Sequence, residues 1–366
     1  MPNPNAIVAA VLRLEGDFVH LGNQRRVRVD VERPGTGGFY AILEGARQLR
    51  RPVYLEVDPQ TSAITRVRIP IVSRVKNLSL GEDGLEVELD NSHAAHRLPA
   101  KTDDAEEMEQ TLREALHDGR VLIVTEDDAH DIIDVREFTP GPDGELPPLP
   151  PFPEPQLPKW PWPLNWLVDI WRWKLWPWWW FTWGCVSTTR AQQIFDAMAA
   201  TTCNPLTVPP PCIPFMYPDD GCWGRAHEMC RLMLNMGITP SKVWIDRVGP
   251  LLHANTRNNP QCFVEWGWHV APVICVRRWR WCCFLWSQDM VIDPSLFTTP
   301  VTKAQWKAVQ NNPNATLTDT SWTQFWHSGG TDPAFSASDQ VLADHRLYLQ
   351  VRSLSSVGPP PYANCP

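Results

Sequence analysis

Short runs of β-branched and apolar residues recur through the first part of the chain, at Ala6–Leu14, Arg26–Val31, Val53–Val57 and Ile64–Val75. Pro34-Gly35-Thr36-Gly37-Gly38 and Asp58-Pro59 interrupt them, a pattern of strands joined by turns. Leu85–Leu89 alternates apolar and acidic positions, as a half-exposed strand does. Thr102–His117 has the spacing of an acidic amphipathic helix, with Thr102 or Asp103 as cap and Gly119 as stop. Val121–Thr125 and Ile132–Val135 read as closing strands. Further on, Trp223, Ala226, Cys230 and Met233 fall at helical spacing, and Met229, Leu232 and Met236 widen the stripe. That predicts a helix buried on most sides. Asp219 or Asp220 caps it and Gly221 permits a sharp turn into it. Phe263–Val276 and Met290–Ser295 are strand candidates, the second halted by Pro294.

Composition changes sharply along the chain. Its 366 residues, 43 % hydrophobic and 20 % charged, are enough for one or two domains with real cores. Residues 1–145 carry 17 basic and 27 acidic side chains, and the remainder 16 and 14. All ten cysteines lie in the second half, and eleven of 37 prolines fall between Pro140 and Pro163. Ten of 20 tryptophans fall between Trp160 and Trp183. We therefore expect a small β-rich N-terminal domain over 1–138, a Pro/Trp-rich connector over 139–184 and a second domain over 185–366. Thr139–Pro163 has the composition of a polyproline-II spacer. Three readings stand open for Trp160–Trp183: it lines a cleft of its own protein, sits at a membrane surface, or binds a partner.

The net charge of −8 argues against a nucleic-acid binder. No uncharged apolar stretch is long enough for a conventional transmembrane helix. Glu15 and Asp17 fall where a secretory signal would be apolar. His93 and His96 form an H-x-x-H pair, but nothing near them in sequence completes a metal site, so the expectation is a polar loop and no metal ligands.

The chemistry concentrates between residues 217 and 296. Cys222 falls in the first turn of its predicted helix, where free N–H groups and the helix dipole favour a thiolate. His269 lies within one strand and Asp293 ends the next. A cysteine on a helix, a histidine on a strand and an aspartate on the following strand, in that order, form the papain-like arrangement. There the histidine moves the thiol proton and the aspartate orients the imidazole. Trp223 and Trp268, beside the cysteine and the histidine, are expected to bind substrate. His227, five residues after Cys222, faces elsewhere on a helix.

Three motifs are similar to those of the bacterial protein-glutaminases: Asp220-Gly221-Cys222-Trp223-Gly224-Arg225-Ala226-His227, Trp268-His269-Val270-Ala271-Pro272-Val273, and Val291-Ile292-Asp293-Pro294-Ser295-Leu296-Phe297. The resemblance covers roughly 185–350. It implies an α+β fold with a papain-like, transglutaminase-like catalytic domain behind the β-rich one. It also implies Cys222 as nucleophile, His269 as base and Asp293 as orienting acid, with no metal or organic cofactor. The reaction implied is deamidation of protein- or peptide-bound glutamine to glutamate, with release of ammonia through a thioester. Family members are typically secreted, with a pro-segment over the cleft. Their motif usually has Ala where Gly224 stands, a change expected to alter helix packing more than chemistry. Transglutaminase-type acyl transfer, peptide hydrolysis, and an inert papain-like fold carrying a Trp-rich binding module are the alternatives. The usual zinc spacings are absent, so the other cysteines are expected to form up to four disulfides. Such bonds indicate export to an oxidising compartment; reduced cysteines in the cytoplasm are the alternative.

Overall fold

The computed structural model describes residues 5–30, 32, 36–81, 83–138, 184–204, 212–280, 284–355 and 357–366. The Pro-rich spacer, Trp160–Trp183 and Cys282-Cys283 lie outside these residues. The fold is a mixed one of sheets and helices. In the first half, β1 (Ala6–Glu15), β2 (Phe18–Leu21), β3 (Arg26–Arg28), β4 (Pro52–Val57) and β5 (Ile64–Arg68) form a sheet in the order β3-β2-β1-β4-β5. Helix α1 (Phe39–Gln48) lays Phe39, Ile42, Leu43 and Ala46 on it.

A second sheet has the order β10-β9-β6-β7-β8, from β6 (Ile71–Leu80), β7 (Gly84–Leu89), β8 (His96–Pro99), β9 (Val121–Glu126) and β10 (Ile132–Glu137). Strand β7 turns Leu85, Val87 and Leu89 inward and its glutamates outward, the alternation that its sequence shows. Helix α2 (Ala105–Asp118) buries Met108, Leu112 and Ala115, one per turn, against this sheet. It ends at Gly119, whose φ of 73° terminates the helix. It starts at Ala105 rather than Thr102, with left-handed Asp104 in the cap position in place of Thr102 or Asp103 and no side-chain cap.

The second half is built on a sheet in the order β17-β16-β15-β12-β18, with β11 pairing in parallel to β15. Its strands are β11 (Val186–Ser187), β12 (Ser241–Asp246), β15 (Trp268–Arg280), β16 (Phe284–Val291), β17 (Val301–Thr302) and β18 (Thr316–Ser321). Strands β13 (Leu252–Asn255) and β14 (Phe263–Trp266) form a separate antiparallel pair. The expected strand Phe263–Val276 is thus two strands, broken at Gly267. There the backbone turns aside, and the Gly267 N–H donates to the His93 carbonyl at 3.0 Å. Ala95 N–H donates in turn to the Glu265 carbonyl at 3.1 Å. Residues 93–95 of the first half therefore run along β14.

The helices here are α3 (Thr188–Ala199), α4 (Cys222–Asn235), α5 (Lys303–Ala308) and α6 (Ser336–Ser353). Helix α4 packs between β15 and α6, and everything from Cys222 to Cys230 is buried, as the apolar stripe predicts. A Cβ at Gly224 would stand 2.7 Å from Cγ1 of Val341 on α6, so glycine lets these two helices approach closely. Leu347 of α6 joins the hydrophobic core of the first sheet. Disulfides link Cys185–Cys275, Cys203–Cys212 and Cys262–Cys365; Cys222 and Cys230 are free thiols.

Candidate functional site

Cys222 is the first residue of α4. Gly221 ahead of it takes the cap position at φ 77°, and a Cβ there would lie 2.5 Å from the His345 ring. Neither Asp219 nor Asp220 caps the helix as the sequence suggested. Asp220 Oδ1 accepts instead from the N–H of Gly221, at 2.8 Å, and from the backbone N–H of His93, at 3.0 Å. Arg225, one turn into the helix and buried, reaches back to the Tyr217 carbonyl at 2.8 Å and to the Asp220 carbonyl. It pins the turn that presents the thiol.

His269, on β15, and Asp293, two residues past β16, are 1 % and 2 % exposed. His269 Nε2 donates to Asp293 Oδ2 at 2.9 Å. The same carboxylate accepts from Trp306 Nε1 at 2.9 Å and, through Oδ1, from the Ser295 N–H at 3.2 Å. Burial acts to raise its pKa, but His269 and the Trp306 hydrogen bond outweigh that and hold Asp293 below the usual carboxylate range. An ionised aspartate only accepts, so the imidazole carries its proton on Nε2. Nδ1 is then left on the side away from Asp293, buried and without a hydrogen-bond partner among the described residues. Trp306 and Ser295 were not singled out in the sequence. Trp306 sits on α5, a short helix held by a Thr302/Gln305 capping box.

Of the histidine pair read as a polar loop, His93 lies in the loop before β8 and His96 is the first residue of that strand. His93 and His96 are buried. His93 enters the site from the first half, lies near-parallel to Trp266 at 5.6 Å and to His269 at 5.9 Å, and donates from Nδ1 to Asp220 Oδ1 at 2.5 Å. Burial drives its pKa down to about 3, so the ring is neutral. A nitrogen of His93, a nitrogen of His269 and the Cys222 sulfur all lie within 4.8 Å of one another. No local sequence pattern carried this signal, because His93 and Cys222 meet only through tertiary structure.

His96 belongs to a neighbouring cluster with Glu126 and His130. His96 Nδ1 and His130 Nδ1 donate to the two Glu126 oxygens at 2.6 and 2.7 Å, and His130 Nε2 to Asp219 Oδ1 at 3.0 Å. Asp219 also pairs with Arg352 at 2.5 Å. Burial opposes charge throughout this network. Even so, Glu126 and Asp219 push His130 up to about 10, while their own carboxyls are held low.

The thiol departs from expectation too. Burial pushes Cys222 well above its ordinary value despite its place at a helix start. Trp223 and Trp268 lie 5.7 Å apart, ring to ring. They line a cleft with Trp326 and His327, closed on the other side by Lys76 and Asn91 of the first half. His227 faces away from this cluster: Nε2 meets the Asp332 carbonyl at 2.8 Å and Nδ1 the Lys242 ammonium at 2.8 Å.

On this mixed sheet-and-helix scaffold a buried thiol and a carboxylate-oriented imidazole lie together beside a cleft lined by Trp223, Trp268 and Trp326. Residues 191–310, which hold Cys222, Trp223, Trp268, His269 and Asp293, match the family model described as Glutaminase, so the resemblance to the protein-glutaminases rests on that segment as well as on the motifs. Among solved structures, a mutant of pro-protein-glutaminase is similar at 20 % identity and a TM-score of 0.48, over 72 % of this chain and 88 % of that one. Unmodified pro-protein-glutaminase gives 18 % and 0.46, over 73 % and 89 %. Protein-glutaminase from Chryseobacterium proteolyticum gives 26 % and 0.35, over 41 % and 81 %. No curated protein matches.

Proposed function

We propose that this protein is a hydrolytic protein-glutamine deamidase of papain-like, transglutaminase-like design, described here in its closed form. The catalytic domain is 185–366; residues 1–138 form a domain that covers the site, and 139–184 connect the two. The observation that carries this reading is the His269 tautomer: Asp293 accepts from Nε2–H, which leaves Nδ1 unprotonated as the base, with a nitrogen of the ring within 4.8 Å of the Cys222 sulfur. The family match over 191–310 supports glutamine as the substrate group.

In the open form water returns to the thiol, and the start of α4 favours its thiolate. Nδ1 of His269 takes the thiol proton. The sulfur attacks the carboxamide carbon of a glutamine side chain held between Trp223 and Trp268. The Cys222 backbone N–H, in the first helical turn, donates to the developing oxyanion. Ammonia leaves with the proton from Nδ1. Water, deprotonated by the same nitrogen, attacks the thioester and yields glutamate and free thiol. Asp293 stabilises the imidazolium in both halves of the cycle. No metal or organic cofactor takes part. The three disulfides fit a life in an oxidising compartment after export, and no described helix is long and apolar enough to cross a membrane.

The test is ammonia release from a glutamine-rich protein, by the full chain and by chain cut at a protease site engineered between residues 139 and 184. Cut chain should release ammonia and its Cys222→Ala variant none. Equal release by both would sink the assignment.

A further inference from the structure

We propose that His93, Cys222 and His269 form a binding site for a soft divalent cation of the zinc class, which clamps the first half over the nucleophile. The case rests on how each ligand atom is left. His269 spends its Nε2 proton on Asp293, and His93 spends its Nδ1 proton on Asp220. The atoms that remain, His269 Nδ1 and His93 Nε2, are both buried and without hydrogen-bond partners among the described residues. Burying an unpaired imidazole nitrogen is costly, and a nitrogen of each ring lies within 4.8 Å of the Cys222 sulfur.

A metal-ligating histidine usually gives its second N–H to a carboxylate, which fixes the tautomer and raises the basicity of the ligating nitrogen. Both histidines already have that arrangement here. One thiolate and two imidazoles are a ligand set for zinc, leaving a fourth position for water. Tetrahedral zinc needs neighbouring ligand atoms about 3.3–3.6 Å apart, from Zn–N and Zn–S bonds of about 2.0 and 2.3 Å. Atoms already within 4.8 Å of one another need contract by little more than an ångström. Binding forms one Zn–S and two Zn–N bonds and releases the Cys222 thiol proton to solvent; nothing is oxidised or reduced.

The neighbouring His96–Glu126–His130 cluster provides the contrast. There the imidazole nitrogens are occupied, by Glu126, Asp219 and Ser92, so no lone pair is left over for an ion. Of these two clusters among the described residues, the one holding Cys222 has ligand atoms to spare. A cation there would occupy the nucleophile and the base together and tie both to His93 across the junction. That regulatory consequence rests on the catalytic roles proposed above; the binding itself rests on geometry alone.

Cobalt(II), a spectroscopic stand-in for zinc, tests the site in the full chain after stripping with chelator. Titration should give a thiolate-to-cobalt charge-transfer band that saturates at one equivalent and is bleached by one equivalent of zinc. The band should vanish in Cys222→Ala and persist in Cys230→Ala, which removes the other free thiol among the described residues. His93→Ala should weaken cobalt binding by roughly 100-fold or more, beyond the 10–100-fold that loss of an outer partner costs. Far-ultraviolet circular dichroism of each variant checks that the fold survives. A wild-type chain without the band, a band retained in Cys222→Ala, or unchanged affinity in folded His93→Ala would each overturn the site. Ammonia release is not read in this experiment, so an inactive protein that binds cobalt as described would count against the function and leave the site standing.

Discussion

Replacing His93 with alanine should open the site without touching a group that acts on substrate. In the wild-type chain the His93 Nδ1–H reaches the ionised Asp220 carboxylate at 2.5 Å, and the ring lies against Trp266 and His269. A buried hydrogen bond to a charged acceptor contributes about 1.5–3 kcal/mol. Asp220 keeps the Gly221 N–H and the backbone N–H at position 93, so its carboxylate is not stranded and the loss falls on the contact between the halves. If that contact alone sets the closed-to-open ratio, 1.5–3 kcal/mol raises the open population about 10- to 150-fold. Ammonia release by uncut chain, measured in chelator so that no cation contributes, should rise by that factor. Release by cut chain should stay the same in both proteins. An uncut His93→Ala protein no faster than wild type, beside an active cut chain, would show that His93 does not close the site.

Trp306→Phe deletes one of the donors to Asp293 Oδ2; stability to urea should fall by about 1.5–3 kcal/mol, and the acid limb of activity should move to higher pH as the Asp293 pKa rises. The network of Glu126, Asp219 and His130 sets a pH window. The depressed carboxylates contribute fully above about pH 4.5 and lose that contribution as pH falls through their lowered values; His130 contributes fully below 6.5 and loses it on the way up to about 10. The stability lost on Asp219→Asn, read from urea midpoints of the full chain, should therefore be largest between about pH 4.5 and 6.5; a loss that does not vary with pH would refute the role of this network. Gly224→Ala places a methyl 2.7 Å from Val341. Overpacking of about 1–3 kcal/mol against a helix-propensity gain of about 1 kcal/mol leaves a net loss of roughly 0–2, which Val341→Ala should relieve.

What the sequence disclosed follows from the range of the signals. Cys222, His269 and Asp293 were legible because each sits at a marked place: after a glycine turn, within an apolar strand, and before a proline. The first-half strands and α2 were legible from alternation and from Gly119. The break between β14 and β15 was missed, although a glycine inside an apolar run is a usual sign of close backbone approach. His93 could not be read, since its partners lie 127 and more positions downstream; a Ser-His-Ala-Ala-His stretch looks the same in a loop. The thiol pKa was misjudged for a related reason. The helix start is written in the sequence, but the burial that outweighs it comes from tertiary packing against Trp223, Trp244, Val270 and Phe325. Trp306 carries no local pattern at all, because its role is one hydrogen bond to a carboxylate 13 residues earlier.

The central claim is that Cys222 forms an acyl-enzyme with a glutamine side chain and passes it to water. Mass spectrometry of a glutamine-rich protein treated with cut chain, in the presence of a primary amine, examines this directly. The account predicts glutamine converted to glutamate, no amine incorporated, no new peptide termini, and no change at all with Cys222→Ala. Dominant amine incorporation, new termini, or deamidation that survives Cys222→Ala would contradict it.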